Sequence, residues 1–185
     1  MISISYLFEN AQIDFPTGRQ NNHSDCGSTS VQTMLAFYGI DERQDDLDKE
    51  LKLSKDGVEY SNMIKLFNKK GLKTSFSRMN QDDLKNFLNQ NIPIIILIQA
   101  YKNNNKNYSK DNYEDGHYVT VTGYDDIKFI IEDPSLNNKV GYIPFDELDV
   151  RWHGMGENKE KLDFYGLAVY GKESKYNPTE ITKVK

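Results

Sequence analysis

The run Gln20-Asn21-Asn22-His23-Ser24-Asp25-Cys26-Gly27-Ser28 carries the only cysteine of the chain, at the point where an amphipathic helical pattern begins. From there Val31, Met34, Leu35 and Tyr38 recur at helical spacing, and Gly39 is a natural stop. Ser24 or Asp25 is placed to cap the helix. A cysteine in the first helical turn sits among backbone N–H groups with no intrahelical acceptor, at the positive end of the helix dipole. Both favour an anion, and that position lowers the pKa of a cysteine. A buried structural cysteine, the alternative, would more naturally lie mid-helix on the apolar face.

Working outward, a lone cysteine calls for a distant histidine and acid if it is a nucleophile. Gly116-His117-Tyr118-Val119 and Glu132-Asp133-Pro134 supply them. His117 to Tyr124 alternates and is β-branched, and Lys128 to Glu132 is a second strand after a turn near Asp125-Asp126. A hairpin turning there sets His117 opposite Asp133 or Pro134, at one edge of the sheet. An acid in that place can hold an imidazole tautomer, and the imidazole can take and return a proton. Glu132 and Asp115 remain alternative partners for His117. Gln20, six residues before Cys26, is within loop reach to give an oxyanion a side-chain N–H beside the Cys26 backbone N–H. Gly27 allows a substrate backbone to come close.

The rest of the chain reads as helices first and strands after. Asp45 to Leu53 is a weaker helix, Ser61 to Lys70 a third ending at Gly71, and Asn80 to Asn89 a short fourth capped by Asn80. Pro93 to Ala100 is a buried strand, and Lys139 to Ile143 and Tyr165 to Tyr170 are two more. Short turns between most of them imply antiparallel neighbours. The expectation is one α+β domain over 1–185, with a helical part over about 19–90, a sheet part over about 92–171 and a polar tail over about 172–185. The asparagine-rich stretch from Lys102 to Tyr113 is a solvated loop placed to overhang the site.

Composition narrows the function. The chain has 185 residues, a formal charge of −5 from 23 basic and 28 acidic residues, and no long basic run. That disfavours nucleic acid or an anionic membrane as the main partner. His23, His117 and His153 stand apart without metal-ligand spacing, and no glycine-rich phosphate loop is present, so no metal and no cofactor are expected. One cysteine cannot staple the fold internally. The longest apolar run, Ile94 to Ile98, is too short to span a bilayer, and the N-terminus lacks a signal-peptide pattern. A cytoplasmic location is the default expectation, with secretion open if a signal was trimmed.

Taken together, Gln20-x5-Cys26-Gly27, Gly116-His117-Tyr118-Val119-x3-Gly123-Tyr124 and Asp133-Pro134 resemble the papain-like cysteine peptidases. They are most similar to the bacteriocin-processing, double-glycine leader peptidases and their stand-alone relatives. The resemblance spans roughly Arg19 to Trp152. It implies a papain-like fold, with Cys26 as nucleophile, His117 as general base and acid, Asp133 as orienting residue and Gln20 as oxyanion donor. It implies a peptide or protein substrate and hydrolysis of a peptide bond, with leader or propeptide processing as the specific form. Two departures bear on the substrate more than on the thiol chemistry. Ser28-Thr29 stands where the family usually has Pro-Ala or a similar small pair, and nothing here encodes the transporter to which such peptidases are often fused.

Other readings stay beside this one. Related folds carry out transpeptidation or amide transfer, and a non-catalytic module would keep the groove for an extended peptide without the chemistry. Gly116 and Trp152 are placed to line a cleft near the imidazole, although an ordinary packing tryptophan is an equal alternative. His23 and His153 read as structural or surface residues, and the acidic run Asp41 to Glu50 as a solvated helix face.

Overall fold

The computed structural model describes residues 10–102, 107–137, 139–181 and 183. The N-terminal reading and part of the Lys102–Tyr113 loop (103–106) lie outside them. The elements are β1 (Ala11–Gln12), α1 (Cys26–Phe37), α2 (Gln44–Glu50), α3 (Tyr60–Lys69), β2 (Lys73–Arg78), α4 (Gln81–Asn89), β3 (Ile94–Gln99), β4 (Gly116–Tyr124), β5 (Lys128–Glu132), β6 (Gly141–Pro144), α5 (Phe145–Arg151), β7 (His153–Met155), β8 (Lys161–Asp163) and β9 (Tyr165–Tyr170). The large sheet runs β2-β9-β3-β4-β5-β6, antiparallel throughout, with β1 paired to β4. β7 and β8 form a separate hairpin. This is the α+β architecture expected, with two corrections: β2 lies inside the segment read as helical and takes a place in the sheet, and α5 lies inside the segment read as sheet.

α1 is the central helix. Ten of its twelve residues are buried, including the small polar Ser28, Thr29, Ser30 and Thr33. A helix enclosed this way needs no polar face. Two of these hydroxyls bond to backbone carbonyls, Thr33 Oγ1 to Thr29 O and Ser28 Oγ to Asp25 O, while Thr29 Oγ1 and Ser30 Oγ are buried without a partner. Gly39 ends it with φ +73°, as the sequence implies. α4 begins with the full reciprocal cap: Asn80 accepts from the Asp83 N–H, and Asp83 accepts from the Asn80 N–H. The polar tail also docks, the amides of Lys175 and Tyr176 donating to Phe37 O at the end of α1.

The β4–β5 register differs from the expected one. Tyr124 pairs with Phe129 and Thr120 with Glu132, one to three residues beyond the counted pairing. The turn falls one residue later than expected, with Asp125 N–H donating to Lys128 O across Asp126 and Ile127 while Asp125 Oδ1 accepts from Ile127 N and Lys128 N, and a bulge between Val121 and Gly123 shifts the pairing by one residue. At that bulge β1 takes over the edge of β4 from β3. A Cβ on Gly123 would stand 2.5 Å from Ala11 O, so only glycine allows the crossing. The consequence is that β3 ends, β4 begins, β5 ends and α1 begins at one corner of the molecule.

Candidate active site

Cys26 is the first residue of α1, buried, and unpaired with any other cysteine. Asp25 holds the cap position but makes no side-chain cap bond. Its carboxylate turns back instead, Oδ2 accepting from the Asn22 N–H at 3.0 Å and from Asn22 Nδ2 at 3.1 Å. The capping role expected of Ser24 or Asp25 is therefore replaced by a clamp on the loop between Gln20 and Cys26. The free N–H groups of the first turn are left to whatever occupies the cleft.

His117 opens β4 and is buried. Its Nε2 lies 2.7 Å from Asp133 Oδ1, and Cys26 is the other neighbour that acts on its pKa. Burial alone pushes the imidazole pKa down. The hydrogen bonds and charges of Asp133 and Cys26 outweigh it and raise the pKa to about 9. Asp133 shows the converse balance. Burial pushes its carboxyl up, but His117, the Tyr101 hydroxyl and the Ser135 N–H together hold it below the ordinary value. The Ser135 N–H donates to Oδ1 at 2.8 Å and the Tyr101 hydroxyl to Oδ2 at 2.7 Å. The other acids named as alternatives face elsewhere: Glu132 accepts from Gly18 N, and Asp115 from Asn112 Nδ2.

Gln20 lies beside this group. Its N–H donates to Pro134 O at 3.0 Å, and its Oε1 accepts from Ser135 Oγ at 3.1 Å. That bond orients the amide, and Nε2 donates one of its two protons to Asn22 O at 2.8 Å. The cleft has two arms. One, about 440 Å³, includes Cys26, Val58, Glu59, Leu97 and Tyr118; the other, about 690 Å³, includes Gln20, Tyr101, His117 and Ser135. His23 and Gly116 line both arms, so they stand where the two meet.

The remaining sequence candidates fall as follows. Gly116 is open to the cleft, its nearest neighbour to an added Cβ being Leu97 Cδ1 at 3.7 Å. Gly27 is packed from within: Met63, Tyr118 and Val58 would meet a Cβ at 3.0–3.1 Å. Trp152 is not brought to this cleft. It is buried, donates from Nε1 to Tyr165 O at 2.8 Å, and stacks edge-on with Phe164. His153 is likewise buried, with Nε2 against Asn112 O. Among the cleft residues that the sequence did not single out as site residues are His23, Tyr101 and Ser135. Among the described residues, no cluster of three or more His, Cys, Asp or Glu could hold a metal ion, and no helix is long and apolar enough to cross a membrane.

Comparison with solved structures finds the same fold at low identity. A double-glycine motif protease from an AMS/PCAT transporter, solved with its leader peptide, superposes with a TM-score of 0.65 at 20% identity, covering 87% of this chain and 95% of the other. A protein from Bacillus anthracis described as a C39-like peptidase gives 0.68 at 18%, covering 91% and 100%. The peptidase domain of Streptococcus ComA, a bifunctional ABC transporter of a quorum-sensing pathway, gives 0.64 at 18%, covering 84% and 97%. No curated protein sequence matches the chain. The sequence profile of the Peptidase_C39-like family matches residues 12–160, and this chain belongs to that family.

Proposed function

We propose that this chain is a cysteine peptidase that cleaves a leader or propeptide by Cys–His–Asp chemistry. The observation that carries the reading is the buried Asp133–His117 hydrogen bond at the sheet edge, with Cys26 buried at the first residue of α1. Cys26 Sγ gives its proton to the imidazole nitrogen that faces it and attacks the substrate carbonyl carbon. The tetrahedral oxyanion takes hydrogen bonds from the Cys26 N–H and the free proton of Gln20 Nε2. His117 then protonates the leaving amine as the C–N bond breaks, leaving a thioester. Water, deprotonated by His117, attacks the thioester and releases the acid. Asp133 keeps the ring oriented and stays ionised throughout. An extended peptide crossing between His23 and Gly116 would occupy both arms of the cleft.

The first test is incubation with a double-glycine leader peptide and with a mixed peptide library, read by mass spectrometry. Cleavage by the wild type and none by Cys26→Ala supports the reading. Tight peptide binding with an inert Cys26 would instead favour a binding module. The rate should follow a bell-shaped pH profile, with the alkaline limb near pH 9 where His117 loses its proton.

Gln20 and Ser135 give a graded prediction. Gln20→Ala is expected to lower kcat by about 10²–10³-fold with little change in KM, the usual loss of one oxyanion donor. Ser135→Ala leaves the donor but frees its amide to rotate, and is expected to cost about three- to tenfold. Steady-state kinetics that show equal losses for the two variants would remove Gln20 from the donor role.

A further inference from the structure

Tyr101 lies two residues beyond the end of β3, with φ +55°, in the left-handed region that bulky side chains rarely adopt. Its side chain is half out of the protein, with 54% of the residue exposed, so burial does not hold it there. Two contacts do. Its hydroxyl donates to Asp133 Oδ2 at 2.7 Å, and its ring meets the His117 imidazole at 86° with centroids 5.2 Å apart. Strain at a half-exposed aromatic persists only where its contacts hold it in place.

We propose that Tyr101 is a positioning residue for the thiol chemistry: its hydroxyl locks the second oxygen of Asp133, and its ring screens the Asp133–His117 hydrogen bond from water. The inference rests on the reading of Cys26 and His117 as the reacting pair. Asp133 Oδ1 already serves His117 and the Ser135 N–H. With Oδ2 unpaired, the carboxylate could turn about its Cβ–Cγ bond or take up water, and the imidazole would turn with it. The Tyr101 hydroxyl closes both routes. Burial and Asp133 push the phenol pKa upward, so it remains a donor across the working range. The titratable groups around this contact are His117, Glu132 and Cys26, with Arg151 near the phenol.

The test uses iodoacetamide alkylation of the single cysteine, which needs no substrate, on the wild type, Tyr101→Phe and Tyr101→Gly between pH 4 and 9. Tyr101→Phe keeps the ring but drops the donor that favours ionised Asp133. It is expected to move the acid limb upward by about half to one pH unit and slow labelling at pH 6 by about three- to tenfold. Its kcat/KM should fall similarly with KM within about twofold. Tyr101→Gly relieves the backbone strain. It is expected to keep or raise Tm while lowering kcat/KM by roughly a hundredfold. A Tyr101→Phe variant with the wild-type acid limb and rate overturns the proposal, as does a Tyr101→Gly variant that loses Tm and activity together. A wild-type thiol that labels only like an ordinary one near pKa 8.5 overturns the site reading as well. An activated thiol that cleaves no peptide overturns only the proposed function.

Discussion

Cys26→Ala is expected to abolish peptide hydrolysis, and His117→Ala to cost nearly as much. The two groups act as one unit, because the sulfur is a competent nucleophile only when the imidazole takes its proton and returns it to the leaving amine. The double variant should therefore be no worse than Cys26→Ala alone. In comparable constellations each single loss costs about 10⁴–10⁶ in kcat, and the losses do not add. Neither change should unfold the protein. Cys26 leaves only a small void as alanine, and His117 is the second residue of β4, where β3 pairing holds the backbone at His117–Ile98. Burst kinetics on an activated ester, with circular dichroism to confirm the fold, would measure the effect. Turnover within tenfold of wild type in either folded variant would rule out the thiol mechanism.

The Cys26 helix and the His117 strand were legible because each pairs a chemically special residue with a strong periodic pattern. Lys128–Glu132 and Tyr165–Tyr170 match the expected strands residue for residue for the same reason. β2 was not legible: Lys-Thr-Ser-Phe-Ser-Arg at Lys73–Arg78 lies on the sheet edge, without a buried residue to create alternation. α5 buries only Leu148 fully, with Phe145 half-buried against Phe129, too little for a helical signal in seven residues. The partner of His117 was found although the register was counted wrongly, since both residues lie at strand ends on one sheet edge, where a slip changes the distance little. The acid's second partner was beyond reach. Tyr101 meets Asp133 across 32 residues through one side-chain bond and a left-handed backbone, neither of which leaves a periodic mark. Trp152 erred the other way: its position beside a histidine drew it toward the cleft, while its indole N–H found Tyr165 O in the interior.

The second large effect concerns stability, and it belongs to Glu132. This residue is 3% exposed, with Oε1 accepting from Gly18 N at 2.9 Å and Oε2 buried without a hydrogen-bond partner. Burial raises its pKa to about 8, the Asp133 charge adding to the shift and the Gly18 N–H, His117 and Thr33 opposing it. The folded state thus keeps a proton that the unfolded chain releases near 4.5. Stability from this group is intact below that value and is lost as pH rises toward about 8, after which the loss is complete. At 1.36 kcal/mol per pKa unit the shift bounds the loss at about 5 kcal/mol, and partial hydration lowers it to about half of that. Glu132→Gln is neutral at every pH and keeps an oxygen for the Gly18 N–H. It is therefore expected to be more stable than the wild type by about 2–3 kcal/mol at pH 8.5, and the gain should vanish toward pH 4.5. Urea unfolding of both proteins at several pH values isolates the term, because Asp133, His117 and the remaining titrating groups are common to the two chains. A difference that does not vary with pH would mean that Glu132 is ionised in the fold. The clamp explains why an acid is tolerated there at all. Glu132 holds Gly18 and Pro134 holds Gln20, so the two bonds lay residues 18–20 along the end of β5 and fix the start of the loop that leads to Cys26.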